Sequence, residues 1–125
     1  MSVVGRKIAR LFSRSSLHTF SDEELVERYR STVDSEIVAE LMSRYHGQIA
    51  AFGFKSYRNQ EEVKDFVQEV FVRLSDKLKR QEVKNFKAWL YAMMKNYTAD
   101  EARRRLVRSL HAESDQAKKE SLTDD

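Results

Sequence analysis

The composition of this 125-residue chain favours a helical protein and excludes several kinds of site. The chain contains no Pro, only three Gly and 34% charged residues, whereas strand-rich folds need more turn residues. The absence of Cys excludes disulfides, thiolate metal ligands and Cys nucleophiles. No apolar run approaches the ~18 residues of a transmembrane helix, and the length predicts a single domain.

The net charge of +3 is small, but the positive charge is concentrated in two stretches. Residues 1–20 contain cations and no acid, and we expect them to form a basic arm. Residues 95–108 form the second stretch, where cations outnumber acids. Local basic surfaces of this kind are expected where one face of a protein meets phosphates. The cations of the two stretches are Arg6, Lys7, Arg10, Arg14, Lys95, Arg103, Arg104, Arg105 and Arg108.

The first two helices are predicted from a cap and an apolar stripe. Ser21 and Glu24 have the spacing of a capping box, which begins a short helix that ends near Arg30. Asp34 or Ser35 can cap a second helix, in which apolar residues recur every three or four positions from Ile37 to Phe52. The segment from Gly53 to Asn59 breaks this pattern and is predicted to be a connection.

A third helix is predicted from about Gln60 to Lys79, with one apolar face and one acidic face. The acidic face centres on Asp65, and Gln68 and Glu69 lie beside it at i+3 and i+4. The apolar face is formed by Val63, Phe66, Val67, Val70, Phe71, Leu74 and Leu78.

The rest of the chain is predicted to contain a polar loop, a fourth helix and a tail. The loop spans Lys79–Lys84, and Asn85 caps a helix from Phe86 to about Arg108. Residues 109–125 are polar with alternating charges and are predicted to be a linker or tail. The prediction is therefore an all-α fold: a compact bundle of about four helices over residues 21–108, between a basic arm (1–20) and a polar tail (109–125).

The acidic face of the third helix has two interpretations. Surface carboxylates on an amphipathic helix are usually no more than its solvated side. They can also form a docking surface for a basic partner, where charges contribute specificity and association rate more than affinity.

The fourth helix changes from aromatic to basic along its length. Phe86, Leu90 and Met93 are predicted to be core, whereas Trp89 is open between core packing and stacking on an unpaired base. The run Arg103–Arg105 could neutralise the dipole at a helix C-terminus, pair with Asp100 or contact phosphates. Asn96 could read a base edge.

Catalysis has little support in the sequence. His18, His46 and His111 are scattered, and no metal-binding or Gly-rich phosphate-binding motif is present. We therefore expect neither enzymatic activity nor a cofactor or metal.

Taken together, several blocks resemble region 2 of a bacterial sigma factor, most closely the extracytoplasmic-function (ECF) type. The resemblance extends from Ser21 to Arg108 and depends on the order and spacing of the blocks. They are Ser21–Val26, Glu62, Asp65–Phe71 with Leu74, Asn85–Tyr91, Asn96, Asp100 and Arg103–Arg104.

The resemblance implies two partners, core RNA polymerase and promoter DNA. Polymerase would be bound at the clamp coiled coil of its largest subunit, through Glu62, Asp65, Gln68 and Glu69. The non-template strand of the −10 element would be recognised and melted by Arg80, Lys84, Asn85, Lys87, Trp89, Lys95, Asn96, Ala99, Arg103 and Arg104. An anti-sigma protein is a further expected partner, the expected location is the bacterial cytoplasm, and no membrane or small-molecule substrate is expected.

Two other functions remain open on the sequence. One is a region-2-only co-sigma or regulatory module that binds polymerase or an anti-sigma protein without recognising promoters itself. The other is an unrelated helical DNA-binding repressor. ECF factors also carry a region 4, and nothing after Arg108 resembles it, so the chain is expected to be either truncated or naturally short.

Overall fold

In the computed structural model, the described backbone spans residues 16–123 and the described side chains end at residue 119. A 3-10 turn at Leu17–Thr19 precedes four helices, and the described residues contain no strand. The predicted all-α bundle of about four helices is therefore confirmed. The helices are α1 (Asp22–Thr32), α2 (Ser35–Ser56), α3 (Gln60–Lys77) and α4 (Phe86–Thr123).

The first three helices each begin at a side-chain cap. The caps of α1 and α2 were predicted from the sequence, and the cap of α3 is an Asn, a residue type that commonly caps helices. Ser21 and Glu24 form the capping box of α1 in both directions. Asp34, and not Ser35, caps α2 by accepting from the Glu36 amide at 3.0 Å. Asn59 caps α3 by accepting from the Glu62 amide at 2.9 Å.

The chain divides into two compact units, residues 1–89 and residues 90–125. The first unit contains α1, α2, α3 and the beginning of α4, and its core forms where the predicted apolar stripes meet. Phe71 departs from the prediction, because 38% of it is exposed although the sequence assigned it to the apolar face of α3. The buried core of this unit is Leu17, Leu25, Val26, Tyr29, Ile37, Val38, Leu41, Ile49, Val63, Phe66, Val70, Leu74, Leu78, Val83 and Phe86.

The prediction that α2 ends before Gly53 is wrong, because the helix continues to Ser56. Gly53 lies within the helix and faces α3. A Cβ at this position would lie 3.0 Å from Cδ2 of Phe66 and 3.1 Å from Cγ1 of Val63. The missing side chain therefore lets α2 and α3 approach closely, so Gly53 serves packing and not a turn.

A polar network ties the beginning of α1 to the middle of α2. Arg44 donates to Asp22 at 3.0 Å, to Glu40 at 3.3 Å and to the carbonyl of Leu17 at 3.0 Å. Tyr45 also donates its hydroxyl hydrogen to Asp22. Burial and this hydrogen bond together raise the pKa of Tyr45 to about 12.

The predicted arm, residues 1–20, falls mostly outside the described residues. Its last part, from Ser16 to Phe20, is described and contacts the first unit. Leu17 is buried, and the guanidinium of Arg28 lies 4.1 Å from the centre of the Phe20 ring. These contacts attach the end of the arm to α1 and α2.

The second unit consists of α4 from Leu90 onward. Leu90, Met93 and Met94 are buried, as predicted for the first two of them. The predicted helix end near Arg108 is wrong, because α4 continues to Thr123. Leu106 and Val107 lie just before this extension and Leu110 lies within it, and each of the three is at least half exposed. Among the described helices, none is both long and apolar enough to cross a membrane.

Candidate functional site

The acidic face of α3 presents two polar side chains to solvent. Asp65 and Gln68 are exposed, whereas Glu62 and Glu69 are partly buried. The spacing of these residues on one helix makes their side chains neighbours, as the sequence predicted. Glu69 accepts from Arg73 at 3.1 Å, which offsets part of its charge. Asp65 is exposed and has no ion-pair partner among the described residues, so its carboxylate is available to a partner.

The same face contains apolar surface that the sequence reasoning did not assign to a site. Val72 is 57% exposed, two turns from Asp65 on the same side of α3. Its spacing of seven residues from Asp65 places it on the acidic face, and that spacing was a usable signal. Phe71, the residue before Val72, is also partly exposed. The sequence gave no signal for this exposure, because Phe71 falls in the apolar stripe.

A groove between α2 and α3 borders this face. It encloses about 480 Å³, and Gln68 lies on its edge. Phe54 of α2 is 59% exposed there, making the groove mainly apolar. The sequence missed this contribution because the segment around Phe54 was predicted to be a connection. The remaining lining residues are His46, Ala50, Gln60, Val63, Lys64 and Val67.

The loop before α4 is held in place at both of its ends. Arg80 donates to Asp76 at 3.1 Å on the α3 side. On the other side, Asn85 accepts from the Ala88 amide at 3.1 Å, and Glu23 of α1 accepts from the Phe86 amide at 3.1 Å. The predicted cap at Asn85 is confirmed. Because that cap uses the side-chain oxygen, the amide NH₂ of Asn85 remains the group that can donate to a ligand.

The structure gives Trp89 two fixed contacts. Its ring stacks on Phe86 with centroids 6.0 Å apart, and its indole N–H donates to Gln81 at 2.8 Å. Trp89 is partly buried, whereas Lys84 and Lys87 on either side of the cap are exposed. The indole is therefore anchored at one edge while part of its surface stays accessible. Trp89 thus combines features of the two interpretations left open by the sequence, core packing and stacking on an unpaired base.

A cleft of about 330 Å³ separates α1 from this loop. Its lining is mostly acidic on the α1 side, with Lys84 and Arg30 as the cations. Three of the acidic residues, Glu23, Glu24 and Glu27, come from α1, and the fourth, Glu82, comes from the loop.

In the second unit, Lys95, Asn96 and Ala99 are exposed on α4. Asn96, Ala99 and Arg103 recur at i, i+3 and i+7, so they share one face of the helix. Arg103 is paired with Asp100, and Arg105 with Glu101 at 3.0 Å. The first of these pairs was one of the alternatives that the sequence left open.

No cluster of His, Asp and Glu able to hold a metal ion is present among residues 16–119. The polar groups with the strongest mutual contacts, Asp22, Arg44 and Tyr45, connect helices and line none of the clefts above. The exposed faces of α3 and α4 carry charged and aromatic groups and are surfaces suited to binding.

Comparison with protein families places both faces within one known domain. The family model described as sigma-70 region 2 matches residues 41–107, more than half of the chain. The match includes most of α2, all of α3 and the part of α4 that carries the predicted DNA-binding residues. Neither the curated proteins nor the solved structures gave a match to this chain.

Proposed function

The chain belongs to the sigma-70 region 2 family, a transcription-initiation domain that binds RNA polymerase, and on this premise we propose a separate binding partner for each of its two faces. The acidic face of α3 binds the clamp coiled coil of the largest polymerase subunit. The loop before α4 and α4 itself recognise and melt the −10 element. The observation that carries this proposal is the family match, which spans both faces.

Exposure and charge support the polymerase-binding role of α3. Asp65 and Gln68 are exposed beside half-buried Glu62 and Glu69, and exposed Val72 adds an apolar side chain to the face, two turns from Asp65. Interfaces typically combine a desolvated apolar centre with polar groups around it. Asp65 and Gln68 then select a basic partner, and Val72 contributes the apolar contact.

Charge reversal on α3 tests this role. Asp65→Arg combined with Glu69→Arg should abolish binding of core polymerase in a pull-down, because like charges across an interface cost several kcal/mol. A matched control is Glu113→Arg with Asp115→Arg, which makes the same change in net charge at exposed positions of α4. The polymerase-binding role is wrong if the α3 variant binds as well as the control.

Cations around an accessible aromatic ring support strand capture at the beginning of α4. Lys84 and Lys87 are exposed near partly buried Trp89. Separating base pairs costs a few kcal/mol, and stacking of an unpaired base recovers about 1–3 kcal/mol. Arg80 and Asn85 lie at the two ends of the same loop, and Lys95, Asn96, Ala99, Arg103 and Arg104 extend the proposed DNA surface along α4.

Removing Trp89 and one neighbouring cation tests the DNA role. In the complex with polymerase, Trp89→Ala with Lys84→Ala should weaken capture of single-stranded −10 DNA by about 10-fold or more, given the stacking energy. Polymerase binding should be unchanged. Tyr91→Ala is the control, since Tyr91 is an exposed aromatic residue on the same helix. Intact capture by the first variant would instead favour a module that binds polymerase without reading promoters.

We also assign the chain to the ECF type, with an anti-sigma protein as a regulator and the bacterial cytoplasm as its location. The order of the blocks Asp65–Phe71 and Asn85–Tyr91 supports the ECF type. Reconstituted transcription from a −10 element with this chain and core polymerase tests the proposed role in initiation.

A further inference from the structure

The arginines of α4 differ in whether they form an ion pair with a carboxylate of the same helix. Arg103 is paired with Asp100, one turn earlier on the helix. Arg105 is paired with Glu101 at 3.0 Å. Such pairs place the guanidinium beside a carboxylate of the same helix, which offsets part of its charge. Two of the three consecutive arginines are therefore already engaged within α4.

Arg104 and Arg108 have no carboxylate partner among the described residues, and both are exposed. They are separated by one helical turn, so their side chains leave the same face with Cβ atoms about 5–6 Å apart. Both line an open groove along α4 that also includes Asp100, Arg103 and Val107. Within it, Arg104 and Arg108 are neighbouring cations that form no ion pair with the described residues.

The helix dipole does not account for these arginines. Cations stabilise a helix through the dipole only within its last turn, and α4 ends at Thr123, well beyond Arg108. Their charges in the middle of an exposed helix are therefore available to an external anion. Backbone charges recur about every 3.4 Å along one strand of duplex DNA, so two arginines at this spacing can each reach a different phosphate.

We propose that Arg104 and Arg108 are the phosphate-contacting arginines of α4, while Arg103 and Arg105 are held by Asp100 and Glu101. This inference rests on the proposed function, since it names the residues by which α4 holds the DNA backbone. It adds Arg108 to the DNA surface and selects Arg104 among Arg103–Arg105 as the phosphate contact. Phosphate contacts position a protein on DNA without reading its sequence.

Two double variants of equal charge separate the two pairs of arginines. Arg104→Gln with Arg108→Gln removes the proposed contacts, and Arg103→Gln with Arg105→Gln removes the same charge from the paired positions. Gln is nearly as good a helix former as Arg, and circular dichroism checks that both variants keep their helix content. The probe is a duplex oligonucleotide of unrelated sequence, titrated at several salt concentrations with the full chain.

The slope of log binding constant against log salt should fall in magnitude by about 2 for the first variant, since each phosphate contact contributes about 0.9. The second variant should change the slope by less than about 1. An equal or larger change for Arg103→Gln with Arg105→Gln would overturn the inference, as would undetectable binding of the unaltered chain at low salt. Binding to unrelated duplex does not require polymerase, so this result is separate from the promoter and polymerase tests above.

Discussion

Two glycines of α2 provide a test of how the first unit packs, because the same substitution should have opposite effects at them. Gly47 is exposed, and a Cβ there would meet nothing within 4 Å. Gly47→Ala should therefore raise the free energy of unfolding by about 1 kcal/mol, the difference between Gly and Ala in a helix interior.

Gly53→Ala gains the same helix propensity but must fit a methyl group against α3. Its Cβ would lie 3.0 Å from Phe66 and 3.1 Å from Val63. The Phe66 ring is itself packed against Phe52 at 5.9 Å and Tyr57 at 5.5 Å, which restricts its retreat. Overpacking of a core costs about 1–3 kcal/mol. The net effect of Gly53→Ala should be a loss of up to about 2 kcal/mol, against the gain of about 1 kcal/mol at Gly47.

Urea unfolding followed by far-UV circular dichroism measures both variants. The midpoint should rise for Gly47→Ala and fall for Gly53→Ala, with slopes close to that of the parent chain. In Gly53→Ala with Val63→Ala, the nearby methyl group is removed, so the double variant should be less destabilised than the sum of the two single variants. Equal stabilisation by both glycine substitutions would refute the close contact between α2 and α3.

Two further predictions concern local features of the first unit. Val33 closes α1 with φ of 52°, a conformation that costs an L-residue about 1–2 kcal/mol. Val33→Asn should raise the free energy of unfolding by about 0.5–1 kcal/mol, because Asn tolerates this conformation; a lower urea midpoint would contradict it. The pKa of Tyr45 is raised to about 12 by burial and by its hydrogen bond to Asp22, so the folded state holds this proton more tightly than the unfolded state does. Its contribution to stability is complete below pH ~10 and is lost as the pH rises to ~12. Tyr45→Phe should weaken this alkaline loss; an identical pH dependence of stability in the variant would show that Tyr45 is not its source.

The sequence predicted the features that depend on neighbouring residues. The capping box at Ser21–Glu24, the cap at Asn85 and the acidic face around Asp65 all follow from spacing within one helix, and the structure contains each of them. Helix periodicity likewise identified most of the core, because burial of an apolar stripe is what makes such helices stable.

The features that the sequence did not predict depend on tertiary contacts or on competition between partners. Gly53 resembled a helix breaker, and only the close approach of α3 explains a Gly inside a helix there. Phe71 belongs to the apolar stripe by position, yet 38% of it is exposed. Which arginine of Arg103–Arg105 is paired depends on the rotamers chosen by Asp100 and Glu101, which spacing alone leaves open.

The hydrogen bond from the Phe86 amide to Glu23 joins residues 63 positions apart in the chain. It makes the first peptide group of α4 dependent on the docking of α1, because that amide has no acceptor within its own helix. The exchange of one amide hydrogen therefore records the opening of a distant helix. A partner that displaces α1 from the loop would be visible at Phe86 by hydrogen exchange, even if α4 itself stayed helical.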